Sequence, residues 1–148
     1  MKKTVIGWSE YVSFPDWHVV ALKAKVDTGA RTSALHVEDL EILDNGEVEF
    51  YVVLRRTGAK RRKKVRAKVV KWAKVRSSTG DYKRRCFVKT MVHVGHVDKE
   101  IEISLVSREK MVFRMLLGRK ALERDFIVDV SKRHELEKPE TYRKGKKD

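Results

Sequence analysis

Asp27-Thr28-Gly29-Ala30 is the decisive stretch of this sequence, and it directly follows a valine-rich run, VVALKAKV, at residues 19–26. The run predicts a strand, and Gly29 tolerates the backbone angles that a tight turn after a strand requires. The tetrapeptide therefore places one carboxylate, that of Asp27, at the mouth of a strand. Taken alone, an Asp-Thr-Gly sequence is equally consistent with an ordinary surface turn.

A second segment makes the first one more specific. Met115-Leu116-Leu117-Gly118-Arg119 predicts a strand and a turn, residues 119–124 predict a short helix, and residues 126–130 predict another strand. This order resembles the retropepsin-like aspartic proteases, in which an Asp-Thr/Ser-Gly-Ala loop packs against a later apolar-apolar-Gly-Arg turn. More closely, residues 5–131 resemble a bacterial family labelled ATP-dependent zinc protease and associated with ribosomal modification.

The resemblance implies an aspartic-type peptidase, a hydrolase, with Asp27, Thr28 and Gly29 in its catalytic loop. Such chemistry needs two carboxylates that share one proton, and this chain supplies one Asp-Thr-Gly. We therefore expect a homodimer with Asp27 of each subunit at the two-fold axis. The resemblance further implies that the Thr28 hydroxyl locks the two loops, that Gly29 lets the substrate approach, and that residues 126–130 form dimer contacts.

The resemblance also implies a flap that closes over the paired carboxylates. By order along the chain, this role falls to the hairpin whose tip spans residues 77–81. Small residues suit such a lid, and the expected flap residues are Ser77, Ser78, Thr79 and Gly80.

Two arginines mark a departure from the better-known retroviral pattern. Those enzymes carry an acid where this chain has Arg31, and that acid pairs with the Arg of the Gly-Arg turn, here Arg119. Because Arg forks match carboxylates, we expect Ala30, Arg31 and Arg119 to bind an acidic substrate. This agrees with the substrate that the family implies, a glutamate-tailed protein such as a ribosomal one. The open alternative is that both arginines are satisfied by Asp125, Asp129 or backbone carbonyls.

No cofactor or metal is expected, despite the family's label. A nucleotide-binding P-loop needs a Gly-rich loop that ends in Gly-Lys-Ser/Thr, and the sequence has none. The candidate zinc ligands do not have the spacing of a metalloprotease motif. Two of them, His93 and His96, flank a predicted hairpin turn. The full set of candidates is His18, His36, His93, His96, His134 and Cys86. A Ser-His nucleophile formed by Ser33 and His36 is disfavoured, since side chains three residues apart need not meet.

Length and turn spacing predict the architecture. A chain of 148 residues is long enough for one domain. We expect this domain at residues 1–131 and a basic, mobile tail at residues 132–148. Asn45-Gly46 predicts a hairpin, residues 77–81 predict a second one, and residues 99–106 predict a further strand. The fold class expected is therefore mostly β, a retropepsin-like acid protease β-barrel with one short helix near the C-terminus.

A single cysteine and the absence of a long apolar run predict a cytoplasmic protein that does not enter membranes. The chain has a net charge of +14, and its charges are unevenly distributed. Residues 37–50 hold six acids and no Lys or Arg, whereas residues 55–76 hold twelve Lys or Arg and no acid. Pairing of acids with bases on neighbouring strands accounts for part of this uneven distribution. The surplus of positive charge attracts anions.

The surplus leaves two rival functions open. One is a non-catalytic β-barrel that binds nucleic acid or the ribosome through residues 55–76, with Trp72 and Tyr82 as stacking groups. The other is an adaptor that docks an acidic partner without cleaving it. Phosphate binding alone would not require a carboxylate held on a glycine turn, and fold resemblance alone excludes neither rival.

Overall fold

The computed structural model describes residues 2–55, 61–76, 80–107, 112–134 and 136. Strands dominate these residues, and one short α-helix, α1 (Arg119–Leu122), lies near their end. The strands are β1 (Thr4–Ile6), β2 (Ser9–Phe14), β3 (Val19–Val26), β4 (Ser33–Ile42), β5 (Glu47–Arg55), β6 (Arg61–Arg76), β7 (Tyr82–Val94), β8 (Val97–Val106), β9 (Met115–Leu117) and β10 (Phe126–Val128).

The sheet closes on itself as a barrel. Its strand order is β2-β3-β9-β4-β5-β6-β7, and β7 pairs back with β2 through Ser13 and His93. β8 lies antiparallel to β7 and parallel to β4. The predicted fold class, a mostly β barrel with one short helix near the C-terminus, is therefore confirmed.

The predicted hairpins form where turn residues were found. Asn45 and Gly46 both adopt left-handed angles, with φ of 67° and 75°, between β4 and β5. β6 and β7 pair along Val69–Arg76, and Gly95-His96 forms the short turn between β7 and β8. Asn and Gly reach positive φ at little cost, which is why these positions reverse the chain.

The core fills the barrel with large apolar side chains. Phe14, Leu35, Phe50, Ile103 and Met115 are fully buried. Trp17 joins them: its ring stacks on Phe14 at 5.0 Å and meets Phe50 edge-on at 5.5 Å. Alternation along β3 sends Leu22, Ala24 and Val26 inward and Lys23 and Lys25 outward.

The helix boundary differs from expectation, and two further features add to the sequence prediction. The helix ends at Leu122, and Arg124 has a φ of 76°, which no α-helix accommodates. β1 and β2 are separated at Gly7, where a Cβ would lie 2.3 Å from the Lys132 carbonyl oxygen. Trp72, a stacking group in the nucleic-acid alternative, is 39% exposed.

Cross-strand ion pairs explain part of the uneven charge. Arg62 lies 3.1 Å from Glu38 and 2.8 Å from Asp39, and Glu49 lies 3.2 Å from Lys64 and 3.3 Å from Arg66. Acids of β4 and β5 thus offset part of the positive charge of β6.

The first and last strands of the described residues pair with each other. β1 and β10 form a parallel two-stranded sheet, in which Val5 lies opposite Ile127. One edge of the segment expected to form dimer contacts, residues 126–130, is therefore occupied within the chain. Beyond it, Lys132, His134 and Leu136 contact β2 and its flanks, so packed residues extend past the predicted boundary at 131. The rest of the predicted tail lies outside the described residues. Among the helices of the described part, none has the length and apolarity needed to cross a membrane.

Candidate active site

The Asp27 loop leaves the barrel at the end of β3. The Asp27 amide donates to the Leu117 carbonyl at 2.9 Å, and the Ala30 amide donates to the Asp27 carbonyl at 3.2 Å. The carboxylate itself accepts a 2.9 Å hydrogen bond from the Gly29 amide through Oδ1. Asp27 is half-buried, whereas Thr28 and Gly29 are exposed. The loop therefore presents an oriented carboxylate at the protein surface.

The second predicted segment lies directly against this loop. β9 is inserted between β3 and β4, with Leu117 opposite Val26 and Leu116 opposite Ala34. A Cβ on Gly118 would lie 2.5 Å from the Thr32 carbonyl carbon and oxygen, so only glycine permits this contact. The sequence prediction that the two motifs pack together is thus met by the strand register.

Backbone hydrogen bonds then tie the loop to α1. The Arg119 amide donates to the Ala30 carbonyl at 2.8 Å, and the Lys120 amide donates to the Arg31 carbonyl at 3.1 Å. The first amides of a helix have no partner within it. The loop carbonyls supply those partners, which fixes the loop and the helix start to each other.

Ser33 holds this junction from the buried side. Its Oγ accepts a 3.1 Å hydrogen bond from the Gly118 amide, and its carbonyl accepts from the Ser104 hydroxyl at 3.3 Å. His36 is 1% exposed, and its Nε2 lies 3.7 Å from Glu38. Residues three apart on a strand point to opposite faces. The disfavoured Ser33-His36 nucleophile therefore does not assemble, and the bracing role of Ser33 went unrecognised in the sequence.

The two arginines differ in how far they are engaged. The Arg119 side chain donates a hydrogen bond to the Thr28 carbonyl at 3.2 Å. This contact agrees with the alternative in which backbone carbonyls satisfy the arginines. Arg31 is exposed. The acids considered as partners are engaged elsewhere: Asp125 lies 2.6 Å from Lys99, and Asp129 accepts from the Ser131 hydroxyl.

The sequence matches a known protein family. A family model described as "Retropepsin-like aspartic endopeptidase RimB" matches residues 5–139. The chain belongs to the RimB-like family. The strand pairing and the Asp27 loop are consistent with that membership.

Longer relatives contain a segment similar to this chain. A "Probable alpha-L-glutamate ligase" from Shewanella pealeana is 35% identical over 132 residues, which are 87% of this chain and 29% of that protein. A protein of the same name from Desulfotalea psychrophila is 33% identical over 86% of this chain and 28% of its own length. The chain thus spans less than a third of the curated relatives that it matches.

A solved structure shares the fold. The crystal structure of a protein of unknown function from Legionella pneumophila superposes with a TM-score of 0.74 and 23% identity, over 90% of this chain and 98% of that one. At that identity the match speaks for the architecture of the RimB-like barrel alone.

The flap expected in a RimB-like protease falls largely outside the described residues. Ser77, Ser78 and Thr79 belong to that part, and Gly80 is described with a φ of 93°. The position of the flap over Asp27 stays a prediction.

The candidate metal ligands are dispersed in the structure. Within the described ranges, no group of three or more His, Cys, Asp or Glu could hold a metal ion. His93 contacts Asp98, and His96 lies 3.4 Å from the Thr4 hydroxyl. Cys86 is 2% exposed, and burial raises the pKa of its thiol, which keeps it protonated and unreactive near neutral pH.

Proposed function

We propose that this chain is one subunit of a homodimeric aspartic endopeptidase. The observation that carries the proposal is the half-buried Asp27 carboxylate at the protein surface, oriented by the Gly29 amide on a loop that is braced against Gly118 and α1. Aspartic protease chemistry requires two such carboxylates facing each other. A dimer with its two-fold axis at Thr28 and Gly29, both exposed, supplies them.

The reaction follows from a proton shared by the pair. One Asp27 is ionised and takes a proton from a water held between the subunits, and the resulting hydroxide attacks the scissile carbonyl carbon. The protonated Asp27 of the other subunit donates to the carbonyl oxygen. The tetrahedral intermediate then collapses with protonation of the leaving amine. No covalent intermediate with the protein forms, so neither Ser33 nor Cys86 is needed as a nucleophile.

The substrate proposed is an acidic, glutamate-rich peptide segment. Arg31 is exposed beside the catalytic loop, and the Arg119 guanidinium group donates to the Thr28 carbonyl of that loop. A guanidinium group pairs with a carboxylate through two parallel hydrogen bonds. The relatives named as glutamate ligases carry a segment similar to this chain, which supports a substrate made of added glutamates. A cytoplasmic location belongs to the same proposal.

Charge reversal at Arg31 tests the substrate. We expect Arg31→Glu to lower kcat/KM for a glutamate-tailed peptide by about tenfold or more, because a charge-assisted hydrogen bond contributes roughly 1.5–3 kcal/mol. Cleavage of a neutral peptide of the same length should change little. Arg31→Glu with Arg119→Glu should abolish the preference for glutamate.

A matched control separates a local effect from one of net charge. Lys23→Glu with Lys25→Glu changes the charge as much as the double Arg variant does, at two exposed positions of β3. This control should keep the preference for glutamate. An unchanged preference in Arg31→Glu with Arg119→Glu would refute the proposed recognition while leaving the Asp27 chemistry open.

A further inference from the structure

The hairpin of β6 and β7 carries the positive surplus of the chain. In the first half of β6, Arg62, Lys64 and Arg66 form ion pairs with acids of β4 and β5. Residues 68–85 contain seven Lys or Arg and one acid, Asp81. Of these bases, Lys71 is paired with Glu102 on β8 at 3.2 Å. The far part of the hairpin therefore also carries an excess of basic over acidic residues.

Aromatic rings lie among these charges on one face. Trp72 lies opposite Cys86, and Lys74 lies opposite Arg84, so the exposed members of these pairs share a face. Tyr82 is two residues from Arg84 on β7 and extends the same face. Trp72 is 39% exposed and Tyr82 is 65% exposed. Two rings and two cations thus form one surface, here called the aromatic-basic face: Trp72, Lys74, Tyr82 and Arg84.

One contact orders the centre of this surface. The Arg84 guanidinium carbon lies 5.1 Å from the centroid of the Trp72 ring, within the range of a cation–π contact. The guanidinium group is thereby held near the ring, while Arg84 is exposed and Trp72 is 39% exposed. The hairpin therefore offers a partly ordered stacking platform before any ligand binds.

We propose that the aromatic-basic face binds single-stranded nucleic acid. Grooves that bind single strands combine cations along the phosphate backbone with aromatic rings on which bases stack, and this face has both at strand spacing. An acidic peptide would use the cations but would leave exposed Trp72 and Tyr82 without a role. The inference goes beyond the proposed protease function, because no step of it involves Asp27.

Fluorescence anisotropy of a labelled oligouridine, titrated with the full chain, tests the proposal. We expect Trp72→Ala and Tyr82→Ala each to weaken binding by about fivefold or more, the lower end of the loss for a base–aromatic stack. Lys74→Glu with Arg84→Glu should reduce the slope of log K against log salt by about 1.4, since each phosphate contact to a single strand contributes about 0.7.

Two variants serve as controls. Lys23→Glu with Lys25→Glu makes the same change in net charge on β3 and should retain the affinity and the salt slope of the wild type. Asp27→Asn should bind the oligonucleotide as the wild type does, which separates this proposal from the protease. Because Tyr82 is largely exposed, Tyr82→Ala remains informative even if Trp72→Ala lowers the thermal unfolding midpoint.

Two results would overturn the proposal. Unchanged affinity in both Trp72→Ala and Tyr82→Ala would show that no base stacks on this face. Displacement of the oligonucleotide by an equal charge concentration of a poly-glutamate peptide would show that the face binds acidic chains of any kind.

Discussion

At the scale of single residues, Asp27 is oriented by neutral backbone groups. Its carboxylate accepts from the Gly29 amide, and the loop around it is closed by the Ala30 and Leu117 hydrogen bonds. An asparagine at this position can accept the same Gly29 hydrogen bond through its own Oδ1. Asp27→Asn should therefore remove the negative charge while preserving the loop, which makes it the cleanest single change for the chemistry.

Ser33→Ala tests whether the junction under the loop depends on one hydroxyl. The change leaves the buried Gly118 amide without its acceptor, and an unsatisfied buried amide costs roughly 1–3 kcal/mol. We expect the free energy of unfolding, measured by urea denaturation, to fall by that amount. Peptide cleavage should fall as well, because the loop and α1 lose their shared anchor.

Thr90→Val is the matched control for that change. Thr90 is also buried, and its hydroxyl has no hydrogen-bond partner in the described part of the chain. Replacing an unpaired hydroxyl by a methyl group should leave stability within about 0.5 kcal/mol of the wild type or raise it. Equal losses in Ser33→Ala and Thr90→Val would contradict the specific role given to Ser33.

The sequence predicted some of these residues and missed others for a physical reason. Asp27, Gly118 and Arg119 belong to local motifs whose residue types announce a turn. Ser33 gave no such signal, because its partner Gly118 is 85 residues away and only the strand register brings them together. Its role depends on tertiary structure, which a short motif does not encode.

At the scale of elements, long strands and hairpins were predictable and short pairings were not. The turn at Asn45-Gly46 and the strand after Gly95 carry alternation and turn residues over many positions. β1 and β10 are three residues each, too short for a periodic signal, and their parallel pairing joins the two ends of the barrel chain. The sequence therefore predicts dimer contacts for residues 126–130 but does not predict that this segment pairs with β1 of the same chain.

The segment after β10 is attached to β2 by a histidine. The His134 amide donates to the Ser9 carbonyl at 2.7 Å, its ring nitrogen lies 3.1 Å from the Ser9 hydroxyl, and its ring packs on Tyr11 with centroids 4.6 Å apart. Burial, followed by the charges of Lys23 and Arg133, lowers the pKa of His134 below its usual 6.5, although Glu10 opposes this. Folding therefore disfavours the protonated ring.

This attachment predicts a pH dependence of stability. Because the folded pKa of His134 is lowered, its contribution is present above pH 6.5 and is lost as the pH falls through the folded pKa. His134→Gln keeps a hydrogen-bonding group without the charge, so its thermal unfolding midpoint should fall less than that of the wild type between about pH 7 and about pH 5. His96→Gln, an exposed histidine, should follow the wild type. Parallel curves for His134→Gln and the wild type would show that His134 does not contribute.

At the scale of the whole molecule, the account requires two copies of the chain. Thr28 and Gly29 of the Asp27 loop are exposed, and the small sheet and the turn after it expose three large apolar side chains, Val5, Ile127 and Val130, at 46%, 55% and 76% exposure. A second subunit would cover apolar surface of this kind and would supply the second carboxylate. The proposed function thus depends on an assembly that one chain cannot provide.

Subunit mixing tests this requirement. If each active site takes one Asp27 from each subunit, adding an equal amount of Asp27→Asn to the wild type and allowing exchange should lower the cleavage rate to roughly half. A large excess of Asp27→Asn should abolish cleavage, whereas an equal excess of a folded, unrelated protein should not. A rate that stays constant on mixing would show that each chain acts alone.

The most direct test of the central claim is cleavage of a glutamate-tailed peptide by the wild type and by Asp27→Asn, with the molecular mass of both samples recorded in solution. The account predicts that the wild type cleaves the peptide as a dimer and that Asp27→Asn, with the same dimer mass, does not. Cleavage that survives in Asp27→Asn would contradict the account, because it would remove the carboxylate pair from the chemistry.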